Sequence, residues 1–309
     1  MTFQPTRPAV LLAGLVFAFA AGCGKSDPAK LTEKPADSKP VAPTPTPDGP
    51  PPVVSVPPTP VDPKGPAQTA AETFVKELRD QTVAVARLSP AFLKVIGKPL
   101  LSDSDKAAGA SAGEAQAWLR RAGAIPTGVG LPNGSATPAA AVFTASFTGA
   151  TVADGRVLLR LVPADGGWKV DWFQLGTAKT AEPPKATAPD EPFQEFAAQA
   201  FLDALTAGPV VVKDDRVRLL GALLAPPLRA AWADPFGGDK DRGYDYSPTK
   251  LGAKADELGT GVTAVARTRT GPDAYRVELA KGGAATAYTL KLVRGAAAGE
   301  WLVGEFTPQ

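Results

Sequence analysis

Apolar residues recur at helical spacing twice along the chain, at Ala71, Phe74, Val75 and Leu78 and again at Phe193, Ala197, Ala200, Phe201 and Leu205. That spacing places them on one face of a helix. Alternation with period two follows each helical region and predicts strands over 142–147, 156–162 and 168–175, then over 262–268, 274–280, 285–293 and 301–306. Between helix and strands lie start signals. Ser89-Pro90 and Ser247-Pro248 each pair a capping side chain with proline at the first helical position, Pro226-Pro227 opens an equivalent turn, and Ser111 with Glu114 fits a capping box. Each half therefore reads as three short helices followed by strands.

The two halves also match residue by residue. Sliding 88–123 onto 224–259 needs no gap, and Leu88, Pro90, Pro99, Asp103, Asp105, Ser111, Ala117 and Gly123 meet identical residues. Upstream, Thr73-Phe74-Val75-Lys76-Glu77-Leu78 corresponds to Ala200-Phe201-Leu202-Asp203-Ala204-Leu205. Downstream, Trp168-Lys169-Val170-Asp171-Trp172-Phe173 corresponds to Trp301-Leu302-Val303-Gly304-Glu305-Phe306. The pattern predicts an α+β fold built from a duplicated unit, helices first and then a curved, mostly antiparallel sheet. Its boundaries are a first repeat over 67–177, a proline-bearing linker over 178–190 and a second repeat over 191–309.

Helices followed by a meander that ends on Gly167-Trp168-Lys169-Val170-Asp171 or Glu300-Trp301-Leu302-Val303 resemble the nuclear-transport-factor-2-like, or cystatin-like, superfamily. The resemblance implies two tandem domains of that kind. Members commonly pair through their sheets, which leads to the expectation that the halves form a pseudo-dimer within one chain. The resemblance also implies that each unit has a cone-shaped interior, and the superfamily includes isomerases that use Asp with Tyr.

Before the repeats, the chain changes character. Residues 1–22 hold a single basic side chain, Arg7, then an apolar run over 9–21 and small residues, the layout of a secretory signal. That run of 13 residues is shorter than the ~20 a spanning helix needs. Ala20-Ala21-Gly22-Cys23 resembles the lipobox of bacterial lipoproteins, which implies lipidation of Cys23 and an exported, envelope-facing protein held to a membrane, the outer more than the inner. Ordinary signal cleavage after Ala18-Phe19-Ala20 is the alternative. Residues 23–66 then carry 14 prolines, five lysines and five acids with almost no large apolar side chains. Such a segment buries too little to offset its ordering entropy and reads as a disordered tether. A ligand for a proline-reading domain is the alternative.

Composition removes whole classes of chemistry. The chain has no histidine, so Ser-His-Asp and Cys-His machinery is absent and no histidine-bearing zinc site can form. Cys23 is the sole cysteine, so no intrachain disulfide forms, and a net charge of +2 supplies no field for nucleic acid. Gly109-Ala110-Ser111-Ala112-Gly113 matches a nucleophile elbow in letters only, since no strand precedes it, and Ser111 reads as a helix cap. Asp239, Asp241 and Asp245, near Asp234, resemble a fragment of a calcium loop, but Lys240 and Arg242 sit between the acids and Gly243 occupies a ligand position, so they read as a solvated loop with local ion pairs, and Asn133-Gly134-Ser135 reads as a turn. Trp118, Trp168, Trp172, Trp232 and Trp301 read as core. Tyr244, Tyr246, Tyr275 and Tyr288 supply phenols that nothing in the sequence sets against an acid.

The expectation is a noncatalytic binding module without cofactor or metal. Its partners would be a membrane through lipid on Cys23 and an envelope protein, peptidoglycan-associated partner or small apolar ligand, with the ligand-binding residues unassigned. An Asp/Tyr isomerase or lyase in the pocket of one repeat is the alternative, and it requires an open pocket holding both an acid and a phenol.

Overall fold

The computed structural model describes residues 62–97, 108–149, 154–177, 188–206, 213–234 and 245–309. The signal, Cys23, nearly all of the tether, Asp103, Asp105, Asp239, Asp241 and Tyr244 lie outside the described residues. The first half runs α1 (Lys64–Arg79), a 3-10 turn at Val85–Arg87, α2 (Pro90–Ile96) and α3 (Ala108–Gly123). It then forms β1 (Pro126–Val129), β2 (Asn133–Ala136), β3 (Ala141–Gly149), β4 (Gly155–Ala164) and β5 (Gly167–Thr177). The second half runs α4 (Glu191–Thr206), α5 (Lys213–Leu223), α6 (Pro226–Ala233) and α7 (Pro248–Gly259), then β6 (Val262–Arg269), β7 (Ala274–Lys281), β8 (Ala284–Arg294) and β9 (Trp301–Pro308). The fold is α+β. One antiparallel sheet has the order β1-β3-β4-β5 with β2 also on β3, and the other has the order β6-β7-β8-β9.

Local chemistry explains most of the element starts. Ser89 Oγ accepts from Phe92 N at 3.0 Å with Pro90 at the first position of α2, and Ser247 Oγ accepts from Lys250 N at 3.3 Å with Pro248 opening α7. The expectation for Ser111 and Glu114 is overturned. Helix α3 begins at Ala108, so Ser111 stands inside its first turn. Alanine tolerates helix well enough to carry the element back past the serine. Asn133-Gly134-Ser135 likewise forms strand β2 rather than a turn, paired with Thr144, Phe143 and Val142.

The two sheets repeat each other down to their irregularities. An extra residue bulges β5 at Asp171, between Val170 (opposite Leu161) and Trp172 (opposite Arg160), and β9 at Gly304, between Val303 (opposite Leu292) and Glu305 (opposite Lys291). Thr127 bulges β1 and donates to Thr148 O at 3.2 Å, while Thr263 bulges β6 and donates to Ala280 O at 3.3 Å. Leu88 bridges Val170 in parallel, as Leu224 bridges Val303. Bulges are features that a sequence must specify, so these three coincidences are consistent with a duplicated unit. They also give the exact register between the halves. Strand β6 corresponds to β1 and β2 together, which in the first half are separated by Gly130-Leu131-Pro132.

Cores match too. Phe74 of α1 meets Phe173 edge-on at 5.3 Å, and Phe201 of α4 meets Phe306 at 5.2 Å. A large aromatic changes helix between copies: Trp118 of α3 packs on Phe173 at 5.1 Å, whereas in the second half Trp232 of α6 takes that role beside Phe306 at 6.2 Å.

The halves do not meet sheet to sheet. The first sheet turns Phe143, Leu159 and Phe173 toward α1 and α3, and turns Leu158, Arg160, Trp172, Gln174 and Gly176 toward α4 of the second half. Gln174 Nε2 donates to Ala200 O at 3.0 Å, and the Asp203 carboxylate lies against Gly176. Helix α4 is therefore covered on every side, and all residues from Phe193 to Thr206 are buried. Its other face carries Phe201 against the second sheet. The layers run helix, sheet, helix, sheet, a head-to-tail stack in place of the expected pairing through sheets. Helix α5, which corresponds to no full helix in the first half, clasps the joint. Arg218 Nη1 donates to Ile96 O at 2.8 Å, and Arg121 lies 3.3 Å from Asp215. Residues 59–309 form one compact unit.

The outer face of the second sheet explains why the stack stops there. At the positions of Leu158 and Trp172 stand Thr289 and Glu305, and Lys291 pairs with Glu305 at 2.7 Å in solvent. The face that corresponds to the covered one is polar.

Candidate functional site

Two clusters of polar side chains lie inside the molecule, both where α4 separates the sheets. The first is built on the β5 bulge. The extra residue turns Asp171 inward, where Oδ1 accepts from Ser89 Oγ at 2.5 Å and Oδ2 accepts from Arg160 Nε at 3.0 Å and Nη2 at 2.7 Å. Ser89, Asp171 and Arg160 are 2%, 5% and 9% exposed. Arg160 also faces Glu300 of the second half at 3.8 Å. A narrow cleft with a cavity volume of about 10 Å³ opens beside it between the halves, lined by Arg160, Trp172, Phe193, Phe196, Glu300 and Trp301 among others. The walls are mostly apolar, and Trp172, Phe193, Phe196 and Trp301 are themselves buried, so the cleft is a packing seam with one charged rim.

The second cluster sits between α4 and strand β6. Arg267 Nη2 lies 2.8 Å from Glu195 Oε2, with the two side chains 5% and 6% exposed, yet the inner atoms of neither form an aligned hydrogen bond. Arg269 reaches Glu195 at 3.6 Å and Glu191 at 3.8 Å, and it also donates to Gln194 and, at 3.3 Å, to the Tyr275 hydroxyl. One α4 turn further on, Gln199 Nε2 donates to Asp203 Oδ1 at 2.9 Å. Burial pushes the Tyr275 phenol well above its ordinary value, and the neighbouring Glu195 carboxylate adds to the shift. Burial lowers Arg267, with Glu195 acting in the opposite sense.

An acid and a phenol thus come together, Glu195 with Tyr275, as the enzyme alternative requires. They come together without space. Tyr275 is 0% exposed and Glu195 5%, and two guanidinium groups occupy the remaining side. A general base must reach a substrate proton within hydrogen-bond distance, and nothing but protein reaches this one. Sequence reading missed the pair because Glu195 looks like an exposed position on an amphipathic α4. The only signal was Arg267 and Arg269 on a strand whose inward positions are otherwise apolar.

The remaining candidates resolve simply. Asp234 pairs with Lys250, and Asp245 lies 3.1 Å from Arg229, so the described acids of that group form local ion pairs. Trp118, Trp172 and Trp301 are core residues, and Trp168 and Trp232 pack partly buried against them. Tyr288 stacks on Phe306 at 4.7 Å, and Tyr246 lies buried with its hydroxyl 3.5 Å from Val217 O. Among the described residues no group of three or more His, Cys, Asp or Glu is placed to hold a metal ion, and no helix is long and apolar enough to cross a membrane.

No protein-family model matches the chain, and no curated protein matches it. Similar solved structures include the following two. One is a cystatin-like protein from Ruminococcus gnavus ATCC 29149, at 12% identity and a TM-score of 0.20, covering 79% of this chain and 92% of that one. The other is an Ntf2-like protein involved in plasmid conjugation, at 12% identity and a TM-score of 0.19, covering 59% of this chain and 77% of that one.

Proposed function

We propose that the chain is a lipid-anchored envelope protein whose two nuclear-transport-factor-2-like repeats act together as a noncatalytic interaction module. The observation that carries the anchor is the position of the sole thiol, Cys23, directly after a 13-residue apolar run and the small residues Ala20-Ala21-Gly22. Two acyl chains at about 0.8 kcal/mol per buried methylene hold a protein stably where one does not. The proline-rich stretch to residue 66 then serves as a spacer.

The noncatalytic reading is supported by how the reactive groups are spent. Asp171 is held by Ser89 and Arg160, and Glu195 and Tyr275 are closed in by Arg267 and Arg269. Recognition falls to the outer surfaces. An enzyme of the Asp/Tyr kind would have to open α4 away from β6, exposing Glu195 beside Tyr275.

The deciding experiment for the anchor is fractionation with acyl labelling of the full chain against Cys23→Ser. Loss of both label and membrane association in the variant is the expected result; an unlabelled wild-type chain, or membrane association unchanged in the variant, overturns the reading.

A further inference from the structure

The two sheets have four edges, and the duplication allows each to be compared with its counterpart. Unpaired edges template further strand pairing, and proteins blunt them. On the far edges, β5 and β9 are each bulged, at Asp171 and Gly304, and closed at one end by the Leu88 and Leu224 bridges. The β1–β2 edge is bulged at Thr127 and broken by Gly130-Leu131-Pro132, with Leu131 81% exposed. The corresponding edge of the second sheet, β6, has lost that interruption. Beyond its single bulge at Thr263 it runs without a break to Arg269, and its sole strand neighbour among the described residues is β7.

We propose that β6 is a dimerisation edge, pairing antiparallel with β6 of a second copy to make one continuous sheet of eight strands. Side chains decide the register. Val265, Arg267 and Arg269 point inward, where Val265 is core and both arginines contact acids of α4, whereas Ala264, Ala266 and Thr268 are exposed on the outer face. Antiparallel partners share a face. With Ala266 on the two-fold axis, Ala264 stands opposite Thr268 of the copy, Val265 opposite Arg267, and no arginine faces its own equivalent. Moving the axis by one residue, to Arg267, would set the two guanidinium groups directly against each other.

The usual guard against such pairing is an inward charge that would be desolvated by it. Here that cost is already met within the fold, because Arg267 is buried on Glu195 in the single chain. Small outer residues with no lysine or proline from 264 to 268 leave the edge open to approach. The inference is independent of the lipid anchor.

The test uses the full chain carrying Cys23→Ser, so that introduced thiols are the only ones. With Ala266→Cys, mild oxidation is expected to give a disulfide-linked dimer at least tenfold faster than with Thr286→Cys, an exposed site on the inner strand β8. Sedimentation equilibrium is expected to show a dimer at concentrations on the order of 100 µM, since an edge-only interface is small. Ala266→Lys, and separately Ala266→Glu, each of which sets two like charges against each other on the two-fold axis, are expected to give monomers with a folded circular-dichroism spectrum. A monomeric parent at that concentration, equal crosslinking at 266 and 286, or a dimer that persists in both folded variants overturns the proposal.

Discussion

Ser89 Oγ donates to Asp171 Oδ1 at 2.5 Å while accepting from Phe92 N at 3.0 Å, so one hydroxyl both starts α2 and pins the β5 bulge. In the second half the same two positions are Ala225 and Gly304, and Lys291, standing where Arg160 does, turns outward to Glu305. The first half carries charge where the second half covers it, and the second half carries charge where water does. Ser89→Ala should cost about 1–3 kcal/mol through loss of the cap and of a donor to a buried carboxylate. Asp171→Ala should cost about 3–5 kcal/mol by stranding Arg160. The double replacement Asp171→Gly with Arg160→Met, which removes both charges, should cost less than Asp171→Ala alone. Urea unfolding of the three variants reads these differences, and a double variant weaker than the single one would contradict the account.

Gly123 ends α3 against the Leu78 carbonyl, and Gly259 ends α7 against the Leu205 carbonyl. A Cβ would stand 2.8 Å from Leu78 O in the first case and closer still in the second, where Arg216 also crowds the site. Both Gly→Ala variants should destabilise, within the range of about 1–3 kcal/mol for overpacking. Gly259→Ala should be the worse of the two. Thermal melts that rank them in the opposite order would show that the two helix crossings are not equivalent.

What could be read from the chain was whatever is decided locally. The Ser89 and Ser247 caps, all seven strands with clean alternation and the pairing of Trp168 with Trp301 follow from neighbours along the sequence. What could not be read depends on contacts between halves. Helix α5 hides because Asp215, Arg216 and Arg218 look like solvated charges. In fact Arg216 satisfies the carbonyls of Ala204, Leu205 and Ala255, while Arg218 reaches Ile96 O. Strands β1 and β2 hide because Gly130-Leu131-Pro132 cuts one strand into two pieces of four residues. The Glu195–Tyr275 contact hides because the polar stripe of α4 is inside.

Because α4 covers the first sheet, the repeats should not behave as independent domains. A fragment over 62–177 exposes Leu158 and Trp172, which are 1% and 4% exposed in the whole chain, and should bind a hydrophobic dye and lack a cooperative melt. The intact chain should melt in one calorimetric transition. Two separate transitions, or a fragment that melts cooperatively near the parent temperature, would show that the halves stand alone.

The Tyr275 phenol supplies a pH dependence of definite sign. Its folded value is raised by burial and by the Glu195 charge beside it. The protonated phenol is therefore favoured by folding. The contribution is present below the unfolded phenol value of about 10 and is lost as pH rises above it, because the unfolded chain can ionise there and the folded chain resists. Stability should fall from about pH 10 upward, and Tyr275→Phe, which keeps the ring on the inner face of β7 beside Arg269, should flatten that fall while leaving the neutral-pH melt within about 1–2 kcal/mol of the parent. Absorbance titration of the phenols should contain one step that appears only on alkaline unfolding and is missing from Tyr275→Phe. If that step titrates reversibly in the folded protein at an ordinary phenol value, Glu195 and Tyr275 are open to solvent, and the case against an acid–phenol active site between α4 and β6 is lost with it.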